Sequence, residues 1–212
     1  MRERKLGRLA IAAIAAALVG CLALALPATG AAKKKKKKPA VVTTTVSSGS
    51  VTLAIPDPEA GNSDIIPAIV RSPVVLGIPA KATITDVDAS VRLNHTFDAD
   101  VEIYLASPRG VILFSRDNGG AGDNYGSGAT SCAGVPTTFD SNVATPITAG
   151  IPPFVGTFAP QESLAVLNGL KGSAASVPWT LEVSDDDAEF SGTLYCWNLT
   201  VQYRTPPKKK RK

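Results

Sequence analysis

The chain has 212 residues, 44% hydrophobic and 19% charged, a length suited to one domain with terminal extensions. Its 22 Lys+Arg outnumber its 18 Asp+Glu, but most of the bases sit at the two ends. The stretch from Ala40 to Thr205 holds seven bases against seventeen acids, a net charge of −10, and so acidic a body excludes nucleic-acid binding by the fold itself, which would need a basic face to displace counterions.

The amino-terminal residues have the layout of a secretory leader. Arg2, Arg4, Lys5 and Arg8 precede an apolar run from Leu9 to Leu26, then Pro27 and the small residues 28–32, with cleavage expected at 30–32. Two other fates are open. The 18 residues 9–26 are barely long enough to anchor in a bilayer, and Leu18-Val19-Gly20-Cys21 has the order of a lipidation site at Cys21. Each outcome implies a secreted or cell-surface protein. Lys33 to Lys38 follow, then a Val/Thr/Ser-rich segment, and residues 33–50 are expected to be a solvated, disordered linker, because six adjacent ammonium groups repel one another. Such a run has a second use, attraction to anionic membrane or cell-wall polymer. The basic tail at 205–212 is expected to be solvated as well.

From 51 to 204 short apolar runs are separated by Gly, Pro, Asn and Asp, the punctuation of an all-β fold. Val74 to Leu76 reads as a strand. Ala82 to Leu93 reads as another, and its change of phase predicts a bulge near Thr85-Asp86. Val91 to Leu93 and Val101 to Leu105 alternate with period two and flank Asp98-Ala99-Asp100, which predicts two antiparallel strands joined at a carboxylate-rich corner. Val111 to Phe114 is continuously apolar, the pattern of a strand covered on both faces. Residues 117–150 form a long irregular section. Once a leader is removed, only Cys132 and Cys196 remain, and a disulfide between them would fasten this section to the last strand; free thiols are the alternative. Leu164 to Leu167 is a short strand or a single helical turn. Trp179, Leu181 and Val183 share one face of a strand. In the final strand Tyr195, Trp197, Leu199, Val201 and Tyr203 are expected to share a face, with Cys196 on the other.

These residues carry a resemblance. The order His95-Thr96, two spacers, Ala99-Asp100, the alternating Val101, Ile103 and Leu105, then Ser107-Pro108-x-Gly110, is similar to the signature of the P domain, or P/Homo B domain, of proprotein convertases and kexin-like proteases, in which Gly usually stands at the place of Ala99. Pro153-Phe154-x-Gly156-x-Phe158-x-Pro160, Leu167-Asn168-Gly169, Trp179-x-Leu181-x-Val183 with Asp185, and Gly192-x-Leu194-x-x-Trp197-x-Leu199 extend it over roughly residues 50 to 203. The resemblance implies a jelly-roll β-sandwich of galactose-binding-like architecture. It also implies a non-catalytic role, stabilising a subtilisin-like serine endopeptidase that here would lie on another chain.

The residues themselves point away from hydrolysis. Ser-His-Asp chemistry needs an imidazole to shuttle a proton, and His95 is the single histidine. No Gly-x-Ser-x-Gly or Ser-x-x-Lys pattern occurs. His95 is therefore expected to be structural, hydrogen-bonded to the neighbouring corner, and no catalytic residue is assigned. A calcium site is the better prospect, because that ion takes oxygen ligands from carboxylates, amides and carbonyls. The candidates are Asp98, Asp100, Asp117, Asp123, Asn124, Asp140, Asp185, Asp186 and Asp187, all at predicted loops or strand ends. Adjacent carboxylates such as 185–187 repel unless a positive charge lies among them. The alternatives are plain solvated turns and, at the level of function, an adhesion or carbohydrate-binding module, since one fold hosts many functions. Pro152-Pro153-Phe154, Tyr195 and Trp197 are the candidate contact points, with core packing as the other use of Trp197.

Overall fold

A computed structural model of the chain describes residues 39–58, 69–128 and 130–207. The leader at 1–32, the Lys run at 33–38 and the tail residues 208–212 lie outside the described residues.

The first described element corrects the linker reading. Val41–Ser47 is a strand, β1, antiparallel to the last strand, β10 (Gly192–Arg204), in unbroken register from Val41↔Arg204 to Ser47↔Asn198. The folded part therefore begins near 41 rather than 51. β-Branched Val and Thr suit a pleated, half-buried surface, and six of these seven residues are Val or Thr. Alternating apolarity is missing because β1 is an edge strand: its Val41 and Val42 are exposed, and only Val46 packs against the core.

The remaining strands are β2 (Leu53–Ile55), β3 (Ile69–Val75), β4 (Thr83–His95), β5 (Val101–Ser107), β6 (Gly110–Ser115), β7 (Thr137–Asp140), β8 (Gly156–Phe158) and β9 (Pro178–Asp185). They form two sheets. One has the order β1-β10-β4-β7-β8 with β2 also on β10, and the other the order β3-β9-β5-β6. Apart from the parallel pair β7/β8 the strand pairs are antiparallel. The chain passes repeatedly from one sheet to the other, giving the all-β sandwich that the strand punctuation predicts.

The core lies between the sheets. Trp179, Leu181 and Val183 of β9 are fully buried on one face, as their spacing predicts, and meet Leu194, Trp197, Leu199 and Val201 of β10 from the other sheet. Trp197 Nε1 donates to Ser72 Oγ on β3 at 3.0 Å, so its one polar group is satisfied across the sandwich. Phe114 on β6 packs against Phe139 on β7 with ring centroids 4.7 Å apart. The buried core runs from Ile55 to Tyr203, so a chain beginning at residue 33 keeps all of it. Residues 164–167 form a 3-10 turn, one of the two forms expected there.

The predicted bulge is present: Asp86 pairs with Gln202 and Ile84 with Tyr203, leaving Thr85 as the extra residue. A second bulge corrects the face assigned to Tyr195. Leu194 pairs with Leu93 but Cys196 with Arg92, and this unpaired residue flips the phase. Leu194 consequently joins Trp197 in the core, while Tyr195 turns outward and is only half-buried.

Two further expectations fail for one reason, the identity of the neighbours. β4 and β5 do not pair as a hairpin. Both edges of β4 are taken, by β10 and β7, so the 3-10 turn at Asp98–Asp100 carries the chain across to the second sheet, where β5 lies between β9 and β6. β6 is covered on one face only: Ile112 and Phe114 are buried but Val111 is 58% exposed, because this strand closes the edge of its sheet.

Candidate functional site

The corner between β4 and β5 gathers most of the predicted acidic residues at one end of the sandwich. His95, the last residue of β4, is buried, and both ring nitrogens are engaged. Nδ1 lies 2.8 Å from the Phe97 carbonyl oxygen and Nε2 lies 2.9 Å from Asp185 Oδ2 at the end of β9. The Phe97 N–H lies 3.3 Å from the same nitrogen, so the carbonyl and the amide of Phe97 both face Nδ1. Both partners of the Nε2–Asp185 contact are shut away from solvent. Gly192 faces this ring: a Cβ there would lie 2.6 Å from His95 Cδ2 and 2.4 Å from the Asn94 carbonyl oxygen, so no larger residue fits. Stacked Phe97 and Phe190, with centroids 5.2 Å apart, flank the same corner.

The loop from Asn118 to Asn124 wraps the 98–100 turn. Asp98 N–H donates to the Gly122 carbonyl at 2.9 Å and Ala99 N–H to that of Gly120 at 3.2 Å. Gly119, at φ +94°, packs with its Cα side against Asp98, Pro152 and Phe154; a Cβ would come within 2.8 Å of Pro152. Asn124 ties three segments together. Its N–H donates to Asp98 Oδ1 at 2.9 Å, its Oδ1 accepts from His95 N–H at 3.3 Å, and its carbonyl accepts from Phe154 N–H at 3.1 Å.

Electrostatics mark the corner. Asp98 is fully buried, its Oδ2 has no hydrogen-bond partner, and burial pushes its pKa up to about 8, with Asp123 adding to the rise and the Asn124 N–H opposing it. Burial also raises the pKa of Asp100, reinforced by Asp185 and Asp187 and opposed by His95. Asp185 is raised by burial against the lowering effect of its His95 hydrogen bond. Asp186 rises to about 6, through burial first and then the charges of Glu102, Asp117, Asp100 and Asp185. The corner thus brings Asp98, Asp100, Asp117, Asp123, Asn124 and Asp185 to Asp187 into one neighbourhood. Among the described residues, however, no three Asp, Glu, His or Cys side chains converge closely enough to hold a metal by themselves.

Asp140 is placed elsewhere. It pairs with Asp88 across β7 and β4, seven residues from His95 along β4, or roughly 23 Å at the rise of a strand. There it belongs to a carboxylate group that the sequence reading did not single out: burial, then Asp140 and Asp86, raise the Asp88 pKa to about 7. The signal was present in the Asp86-x-Asp88 alternation on one face of a strand, but only the register places Asp140 opposite.

Cys132 and Cys196 are bridged, with Cα atoms 5.1 Å apart, so the long 117–150 section is fastened to β10 as the cysteine count predicts. Next to this bridge the outward Tyr195 lines a small cleft of 210 Å³ with Arg92, Asn94, Asn124, Ser127 and Thr130.

The chain matches no established family profile and no curated protein. Two solved structures share part of its path. One is the serine protease of Aeromonas sobria in complex with its chaperone, at 19% identity over 79% of this chain and 28% of that one, with a TM-score of 0.47. The other is a crystal structure of the serine protease of Aeromonas sobria, at 19% identity over 80% of this chain and 28% of that one, with a TM-score of 0.42. This chain spans less than a third of the length of either.

Proposed function

We propose that this chain is an exported, non-catalytic accessory module of the P/Homo B kind, which stabilises a subtilisin-like serine endopeptidase carried on another chain. The observation that carries the non-catalytic part is the state of His95. It is the only imidazole in the sequence, its side chain is shut away from solvent, and both nitrogens are committed inside the fold. A general base must reach the proton that it abstracts, and this one does not. The residues that carry the P/Homo B resemblance support the rest, because His95, Asp100, Asp185 and Gly192 are spread over three segments of sequence yet build one corner. The Cys132–Cys196 bridge supports an oxidising, exported setting.

The same corner is where calcium would be held. The fit rests on the buried, unpartnered Asp98 Oδ2 and on carboxylates that disfavour one another's ionisation. With so few side chains converging, Asp98 would be joined by carbonyl and amide oxygens of the 118–124 loop, which a hard cation accepts readily. Asp140 lies too far off to take part. A bound ion would neutralise the corner and rigidify the turn; it would supply no bond-breaking chemistry.

Affinity capture with the chain from residue 33 as bait tests the partner. Recovery of a subtilisin-like protease is expected, whereas recovery of glycan or wall material alone replaces this reading by the carbohydrate-binding one. That alternative has its own support in the outward Tyr195 beside Asn94 and Asn124, an aromatic face next to amides, as sugar sites use.

A further inference from the structure

At the opposite end of the sandwich from the acidic corner lies a cluster of positive charge. Three of the seven bases of the body, Lys81, Lys171 and Arg204, line an open cleft of 660 Å³. Strand register brings them together. Thr83, the first residue of β4, is paired with Arg204, the last of β10, and bridged on its other side to Lys171. Lys171 Nζ donates to Thr83 Oγ1 at 2.7 Å, and Lys81 precedes Thr83 by two residues. All three cations are exposed, and none forms an ion pair among the described residues. These cations lie a few strand spacings apart, roughly 5–15 Å, a grouping that attracts anions.

Register also brings both ends of the described chain to this pole. Val41 pairs with Arg204, so the segment that follows Lys33–Lys38 joins the fold beside Arg204. β10 ends at Arg204, three residues before Pro207 and the start of the 208–212 run. Three exposed cations and both ends of the described chain therefore share one end of a body whose remaining charge is strongly negative. An anionic surface attracts this end and repels the acidic corner opposite it. A linear polyanion would be gripped by a groove lined along its length; here the charge is spread across a blunt end from which two chain segments leave, which matches a plane.

We propose that this pole docks on an anionic lipid membrane and holds the acidic corner away from it. The proposal is independent of the protease reading. The test is flotation of the chain from residue 33 with vesicles of phosphatidylcholine alone or with about 30% phosphatidylglycerol, whose surface potential attracts basic segments. Retention is expected on the anionic vesicles only, and to weaken steeply with added salt as screening shortens. Replacing the cleft cations (Lys81→Ala, Lys171→Ala, Arg204→Ala) is expected to lower the partition coefficient on the order of 100-fold, since each base near such a surface contributes about fivefold. The charge-keeping variant Lys81→Arg, Lys171→Arg, Arg204→Lys should bind as the parent does, separating charge from folding. Undiminished binding of the alanine variant, equal retention on neutral vesicles, or displacement by soluble polyphosphate at matched phosphate concentration would each overturn the proposal.

Discussion

At the level of single residues, the corner depends on His95. Replacing it with Ala leaves the Asp185 carboxyl buried without its partner, and breaking such a pair by removing one member costs about 3–5 kcal/mol. Urea titration should show that loss, and the double replacement His95→Leu with Asp185→Leu should recover much of it, because no buried carboxyl is then left without its partner. Proton linkage gives a second prediction. Asp98, Asp88 and Asp186 have folded pKa values raised to about 8, 7 and 6, whereas an unfolded Asp titrates near 3.9. Between these limits the folded state binds more protons than the unfolded one, so stability falls as pH rises. In chelator, the melting temperature should therefore decline from about pH 5 to about pH 8, the window set by the raised carboxyls. Asp98→Asn should flatten the upper part of that decline. Added calcium should raise the melt and oppose the slope, because it favours the ionised carboxylates; an unchanged melt at saturating ion would remove the metal from this account. The sequence did mark this corner. The candidate acids other than Asp140 gather there, because strand ends of a sandwich converge at its poles. It did not show that His95 and Asp185 meet, since 90 residues separate them and their approach depends on the pairing of β9 with β5, which begins just past the turn after His95.

Elements were read unevenly, and the errors have a common cause. Period two located β4, β5 and β9 and the inward face of most of β10, because those strands have one face on the core. Where a strand lies at an edge the signal changes. β1 lacks alternation and looked like a tether, and β6 looked doubly covered although Val111 faces solvent. Hydrogen exchange separates tether from strand: amides of residues 42–46 that bond to β10 should be protected well above the free-chain rate. The long 117–150 section relies on its bridge. Removing it with Cys132→Ser and Cys196→Ser frees a closed loop of 64 residues, for which chain entropy gives a loss of about 4 kcal/mol at most, measurable as a lower urea midpoint.

For the molecule as a whole, the two ends of the long strands differ in charge, with the Asp86, Asp88 and Asp140 carboxylates between them. β4 and β10 each have 13 residues, or about 40 Å at the rise of a strand. They run from the cationic cleft at Thr83 and Arg204 to the acidic corner at His95 and Gly192. The net body charge of −10 opposes compaction by self-repulsion. Screening it should therefore stabilise the chelated protein, with the melt rising a few degrees as NaCl increases from about 50 to 500 mM, concentrations that shorten the Debye length severalfold. A melt that falls with salt would mean that attractive pairs outweigh the repulsion.

What the amino-acid order settled alone was local in origin: the all-β character, the bulge at Thr85 and the pair of cysteines available for a bridge. Each follows from side-chain period, residue count or residue type. Tertiary structure decided the rest. It sent β5 into the second sheet, turned Tyr195 outward, set Asp140 apart from the corner and brought Lys81, Lys171 and Arg204 to one pole. These outcomes depend on which distant strand occupies which hydrogen-bonding edge, and that is fixed only when the two sheets close over their core.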